Sequence, residues 1–174
     1  MSTGNSFYGK YRGTVLLNMD PELRGRITCI VPDVLGIVPT TWAEPCTPLA
    51  GPTGPPMGVY MVPPPGAGVW VEFEQGGPDF PIWSGCRWGS ASDVPPLAHA
   101  GLPVSPNIVM QTAAQNAFMI SDLPGPTGGL MLKSTTGASI IVNDTGIYIQ
   151  NGKGASLIMT GPTVTINNGA LVVT

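Results

Sequence analysis

Eight short aliphatic runs close the chain: NIVMQT, AFMIS, LMLKS, SIIVN, GIYIQ, SLIMT, TVTIN and ALVVT. From Leu130 they begin every seven to ten residues, separated by TTGA, NDTG, NGKGA, TGP and NNG. Runs this short cannot be helices, and Gly- or Asn-containing turns between β-branched segments mark a stacked-strand solenoid or prism. Side chains alternate between the two faces of a strand. That alternation turns Leu130, Leu132, Ile140, Val142, Ile147, Ile149, Leu157, Met159, Val164, Ile166, Leu171 and Val173 inward. Met131, Ile141, Tyr148, Ile158, Thr165 and Val172 then point outward. One chain cannot enclose that inner row, because a single-chain β-helix uses about 20 residues per coil and about 45 residues give barely two coils. Three chains wound together close the prism, so this half predicts a homotrimer. With one strand spacing per run, eight runs make a rod of roughly 40 Å.

The first half has a different grammar. KYRGTVLL (10–17), ITCIVP (27–32), TWAEPC (41–46), GVYMV (58–62), VWVEFE (69–74) and FPIWSGCRW (80–88) read as strands. NMDPELRGR, GPTGPPMG and PPPGAG read as turns between them. Twenty prolines, about twice the usual share, disfavour long helices. Five or six strands in about 80 residues fit a barrel of OB type. The whole chain is therefore expected to be all-β: an N-terminal extension (1–8), an OB-fold domain (9–89), an extended Pro-rich linker (90–106) and an intertwined trimeric β-helix (107–174).

Only 10% of residues are charged, against about 25% in ordinary domains. The net charge of −3 makes nucleic acid an unattractive partner. No stretch of about 18 apolar residues is present to span a bilayer. The start, MSTGNSFYGKYRG, shows no secretory h-region. Cys29, Cys46 and Cys86 lack paired spacing and read as buried free thiols of a protein made in a reducing cytoplasm.

Chemistry is sought and not found. His99 is the only histidine and lies in the linker. A zinc site from Cys29, Cys46, Cys86 and His99 would draw single ligands from four distant segments, whereas structural sites use ligands paired two to four residues apart. Glu72 and Glu74 share one strand face, opposite Val71 and Phe73, which suits solvent better than the two walls of a glycosidase cleft. Asp79 reads as a turn residue, and Trp70, Trp83 and Trp88 as packing. Arg24 and Arg26 are too few for a nucleic-acid face, and the glycines 66 and 68 form an ordinary turn. No catalytic, cofactor-binding or metal-binding residue is expected.

The ordered pieces Gly13-x-Val15, Asn18-x-Asp20-Pro21, Arg24-Gly25-Arg26-Ile27, Val31-Pro32, Trp42-Ala43, Ala50-Gly51, Pro63, Gly66-x-Gly68, Val71-x-Phe73-Glu74, Gly76-x-Pro78-Asp79-x-Pro81, Ser84-Gly85 and Trp88 carry a resemblance. Together with the tail repeats they resemble the central spike proteins of contractile injection systems: baseplate-assembly V proteins of phage tails, VgrG proteins of type VI secretion, and spikes of phage tail-like particles. The resemblance implies a trimeric, non-enzymatic needle made in the cytoplasm and assembled into a baseplate at the end of an inner tube. It implies attachment to a separate baseplate hub protein, since no hub domain precedes the OB segment. No lysozyme-like segment or His-x-His tip motif interrupts the pattern. A PAAR-repeat tip protein would sit on Leu171, Val172, Val173 and Thr174, cargo effectors could ride along, and a target membrane would be met transiently. Apolar Ile141, Ile158 and Val172 on the outward face then suggest contact with a neighbouring protein or with lipid. The competing readings are a cell-wall-degrading tail enzyme on the same scaffold and an OB-fold nucleic-acid binder.

Overall fold

The computed structural model describes residues 5–51 and 54–174. Residues 1–4 of the expected extension, and Pro52 and Thr53 of the GPTGPPMG turn, lie outside the described residues. The chain divides into two compact units, Met1–Ala91 and Ser92–Thr174.

The first unit is a curled five-stranded sheet made of β1 (Tyr11–Leu17), β2 (Thr28–Ile30), β3 (Glu44–Pro45), β4 (Gly68–Phe73) and β5 (Pro81–Arg87), in the order β2-β1-β4-β5-β3. The pairs are antiparallel except β3 with β5. Strict alternation along β4 drives the core: Val69, Val71 and Phe73 are buried while Gly68, Trp70 and Glu72 stay half-exposed. They pack with Val15, Ile27, Cys29, Val31, Ala43 and Trp83, and the Trp83 indole donates to the Gly25 carbonyl at 3.1 Å. Such burial stabilises at about 25 cal/mol per Å² of apolar surface.

Several local expectations are corrected. GVYMV forms no strand and keeps only an isolated bridge from Gly58 to Ala50. Pro55-Pro56 before it and Pro63-Pro64-Pro65 after it lack the N–H donors that a ladder needs. TWAEPC shrinks to Glu44–Pro45. The strand over 27–32 stops at Ile30, and Pro32 opens a single helical turn, α1 (Pro32–Leu35). Glu74 falls past the end of β4 in a 3-10 turn (Glu74–Gly76), so it does not share a strand face with Glu72. Only Cys29 is a buried thiol; Cys46 and Cys86 are exposed.

Residues 90–106, which straddle the boundary between the two units, are not extended throughout. They hold a 3-10 turn at Ala91–Asp93 and one helical turn, α2 (Pro96–His99). The Leu97 carbonyl of α2 accepts from the buried Asn107 amide at 2.8 Å. Eight strands follow: β6 (Ile108–Gln111), β7 (Ala117–Ser121), β8 (Gly129–Lys133), β9 (Ser139–Asn143), β10 (Gly146–Gln150), β11 (Ser156–Thr160), β12 (Thr163–Ile166) and β13 (Leu171–Val173). They pair antiparallel strictly in chain order, so the ladder of the rod is built within one chain. Glycine is required where β8 and β10 begin: a Cβ on Gly129 would lie 2.0 Å from the Val142 carbonyl oxygen, and one on Gly146 2.2 Å from that of Met159. Among the described residues, no helix is long and apolar enough to cross a membrane.

Candidate trimer face and tip

In an antiparallel ladder, directly opposed residues share a face. The register therefore aligns Leu130, Val142, Ile147, Met159, Val164 and Val173 in one row. Leu132, Ile140, Ile149, Leu157, Ile166 and Leu171 form a second row on the same face. These are the twelve residues that strand alternation turned inward. The register adds four the sequence reading left out: Ile108 and Ile120 extend the first row, Met110 and Phe118 the second. NIVMQT and AFMIS carried the same alternation, but the irregular spacing before Leu130 hid their phase.

Sixteen apolar side chains thus occupy one face in two unbroken rows, with no polar residue between them. In the lone chain this face is open. Leu132 is 49% exposed and Leu171 53%, and Leu130, Ile140, Val142 and Ile149 are also exposed. A patch this size exceeds what a monomer leaves to water.

The opposite face reads differently. Its central row is Val109, Met119, Met131, Ile141, Tyr148, Ile158, Thr165 and Val172. One margin beside it holds Gln111, Ala117, Lys133, Ser139, Gln150 and Ser156. The other holds Ser121, Gly129, Asn143, Gly146, Thr160 and Thr163. Only this face presents a charge and amides. Polar bonds between turns hold its two edges. Thr135 N donates to Asn116 Oδ1 at 3.1 Å and Ser156 N to Asn167 Oδ1 at 3.1 Å on one edge. On the other, Gly125 N donates to Asp144 Oδ2 at 3.0 Å and Asn143 Nδ2 to the Pro126 carbonyl at 3.1 Å.

At the far end, β13 pairs only with β12, so its outer backbone groups have no ladder partner. Leu171, Val172, Val173 and Thr174 are all exposed there. An apolar strand with an open edge is a template for another chain.

The first unit has an electrostatic hub that sequence motifs only hinted at. The buried Asp20 carboxylate accepts from the backbone N–H groups of Glu22, Arg24 and Arg26, and from the Arg26 guanidinium at 2.7 Å. The Arg26 bond, reinforced by those N–H groups, holds the carboxyl far below the ordinary carboxylate range despite its burial. Arg26 also lies over Trp42, 5.6 Å from the ring centroid. The DP-x-x-R-x-R spacing is the signal that could have located this hub.

Catalytic readings find little support in this geometry. Lys10 bonds Glu72 at 3.0 Å and lowers its pKa, whereas a general acid needs the reverse shift. His99 is exposed at the end of α2. Trp83 is buried, Trp70 lies under the Arg12 guanidinium at 6.0 Å, and Trp88 is exposed. Asp79 sits in a turn. Among the described residues no group of three or more His, Cys, Asp or Glu is placed to hold a metal ion.

Comparison with known families covers both units. Residues 11–88 match the type VI secretion system/phage-baseplate injector OB domain. Residues 107–172 match the phage baseplate V C-terminal trimerisation domain. No curated protein matches the chain.

Proposed function

The chain belongs to the baseplate V family of phage-tail and type VI injector proteins and is a homotrimeric structural component of a baseplate spike; from that premise we propose that it is the membrane-puncturing needle at the tip of the inner tube. The observation that carries the reading is the two-row face of sixteen apolar side chains, left open in a single chain. Three copies bring these faces onto one axis, dry and free of charge. Lys133, Gln111, Gln150 and Asn143 lie on the opposite face, which suits water better than an apolar axis. Leu130, Leu132, Ile140, Val142, Ile147, Ile149, Leu157, Met159, Val164, Ile166, Leu171 and Val173 are then the trimer core, joined by Ile108, Met110, Phe118 and Ile120.

The finer assignments follow. The spike is made in the cytoplasm, and its OB units attach to a separate hub protein. A PAAR-type tip protein seats on the open edge of β13 through Leu171 to Thr174. The role is mechanical, and any cargo effector travels as a passenger. Sedimentation equilibrium of the full chain tests the core of this reading: a mass of three times 18.0 kDa supports it, and a folded monomer rejects it. Co-purification with a tip protein, lost on deleting residues 171–174, tests the cap.

A further inference from the structure

The C-terminal strand unit carries very few charges, and its topology sorts them by sign. From residue 107 onward the charged side chains are Lys133, Lys153, Asp122 and Asp144. In a meander the connections alternate between the two edges of the sheet. The β6–β7, β8–β9, β10–β11 and β12–β13 connections lie on one edge, and β7–β8, β9–β10 and β11–β12 on the other. Lys133 ends β8 against the first edge, and Lys153 lies in the β10–β11 connection on that same edge. Asp122 follows the end of β7, and Asp144 lies between β9 and β10, both on the second edge. Both lysines are on one edge and both aspartates on the other.

Among the described residues none of the four forms an ion pair within the chain. Asp122 accepts from the Ser105 hydroxyl at 2.6 Å, and Asp144 from Gly125 N at 3.0 Å. Both remain exposed, as does Lys153. Across a five-residue strand the edges are about 17 Å apart, too far for lysine and aspartate of one chain to meet.

We propose that Lys133 pairs with Asp122, and Lys153 with Asp144, of the neighbouring copy at each corner of the trimer. The inference rests on the trimeric reading above, with each chain's sheet forming one wall. Threefold closure is heterologous, so the lysine edge of every copy meets the aspartate edge of the next. The levels agree as well. Lys133 lies on the third strand of the unit and Asp122 between the second and third. Lys153 lies between the fifth and sixth, and Asp144 between the fourth and fifth. Each lysine is thus about one strand spacing (~5 Å) or less beyond its partner, within reach of its side chain. One alignment satisfies both pairs. Sliding a chain to join Lys133 with Asp144 would carry Lys153 further from Asp122, to more than four strand spacings, ~20 Å. Turning a chain end for end would bring like charges together. The pairs therefore select register and direction in an assembly whose aliphatic rows alone would tolerate slippage.

Trimers assembled from mixed light- and heavy-nitrogen chains, treated with a zero-length carbodiimide and analysed by peptide mass spectrometry, test this. The expected products are mixed-isotope Lys133–Asp122 and Lys153–Asp144 crosslinks. Crosslinks of Lys133 to Asp144, or no lysine–aspartate crosslink between copies, overturn it. A Lys133→Glu/Lys153→Glu double variant should shorten the trimer lifetime about tenfold or more at low salt, because each pair recurs three times. The deficit should vanish at about 1 M salt, where such pairs are screened. A deficit independent of salt, or none at low salt, counts against the pairing. Sedimentation of the unmodified protein separates the two ideas: a monomer sinks the trimeric reading, whereas a trimer without these crosslinks sinks only the pairing.

Discussion

Leu132 provides a direct measure of which face of the C-terminal sheet turns to the axis. It sits mid-sheet, opposite Phe118 on one side and Ile140 on the other. In the lone chain 49% of it remains exposed. Complete burial of a leucine contributes roughly 1.5–3 kcal/mol, so covering the remaining half contributes about 1 kcal/mol per chain. Threefold symmetry repeats the loss, so Leu132→Ala should weaken the trimer by about 3 kcal/mol, or about a hundredfold in association constant. An unfilled cavity at the axis would add to that. Met131 is the matched control: it neighbours Leu132 on the same strand but faces the other way, and Met131→Ala should cost the assembly less than about 1 kcal/mol. Sedimentation equilibrium over a dilution series of the refolded chains reads both. If the two variants dissociate alike, or Met131→Ala dissociates first, the aliphatic rows are not the axis.

Asp20→Asn should lower the thermal stability of the full chain, with the loss seen as earlier exposure of Cys29. The pKa of Asp20 is depressed from 3.8, so its ionised form stabilises the fold above that pH and loses its contribution as the pH falls through the depressed value. The gap between wild type and variant in urea unfolding should therefore be constant from neutrality to about pH 5 and narrow below about pH 4. A maleimide should label Cys46 first and Cys86 more slowly, because partial desolvation raises the Cys86 thiol although its side chain reaches solvent. Cys29, buried beside Thr40 and raised likewise, should react only on unfolding, as read by peptide mass spectrometry. Ile158→Lys should leave the trimer mass unchanged while reducing release of dye from lipid vesicles; unchanged release would remove lipid contact from the account of the outer row.

The C-terminal unit was legible because its period is simple. Alternation over five-residue runs fixes the face of every residue, and tight turns keep the phase from one run to the next. Ile108, Met110, Phe118 and Ile120 escaped because seven residues, including Pro124 and Pro126, separate β7 from β8 and break the rhythm. The OB unit was legible in its order of strands but not in their extents. GVYMV has the composition of a strand, yet its proline-rich surroundings remove the donors that pairing needs. Glu74 and Cys86 show a second limit: a turn that ends a strand one residue early, or a core that closes over only one side of a sheet, leaves no mark in composition. The Asp20 hub depends on one carboxylate gathering donors from three later residues, a three-dimensional coincidence that spacing suggests and geometry alone reveals.

Because each strand of the rod hydrogen-bonds only to its neighbours in the chain, the rod is a ruler read along the gene. Inserting or deleting one hairpin changes its reach by two strand spacings, roughly 10 Å, without disturbing the inner rows. Removing a single strand would instead move every later connection to the opposite corner. Shafts of this design should lengthen and shorten in even steps.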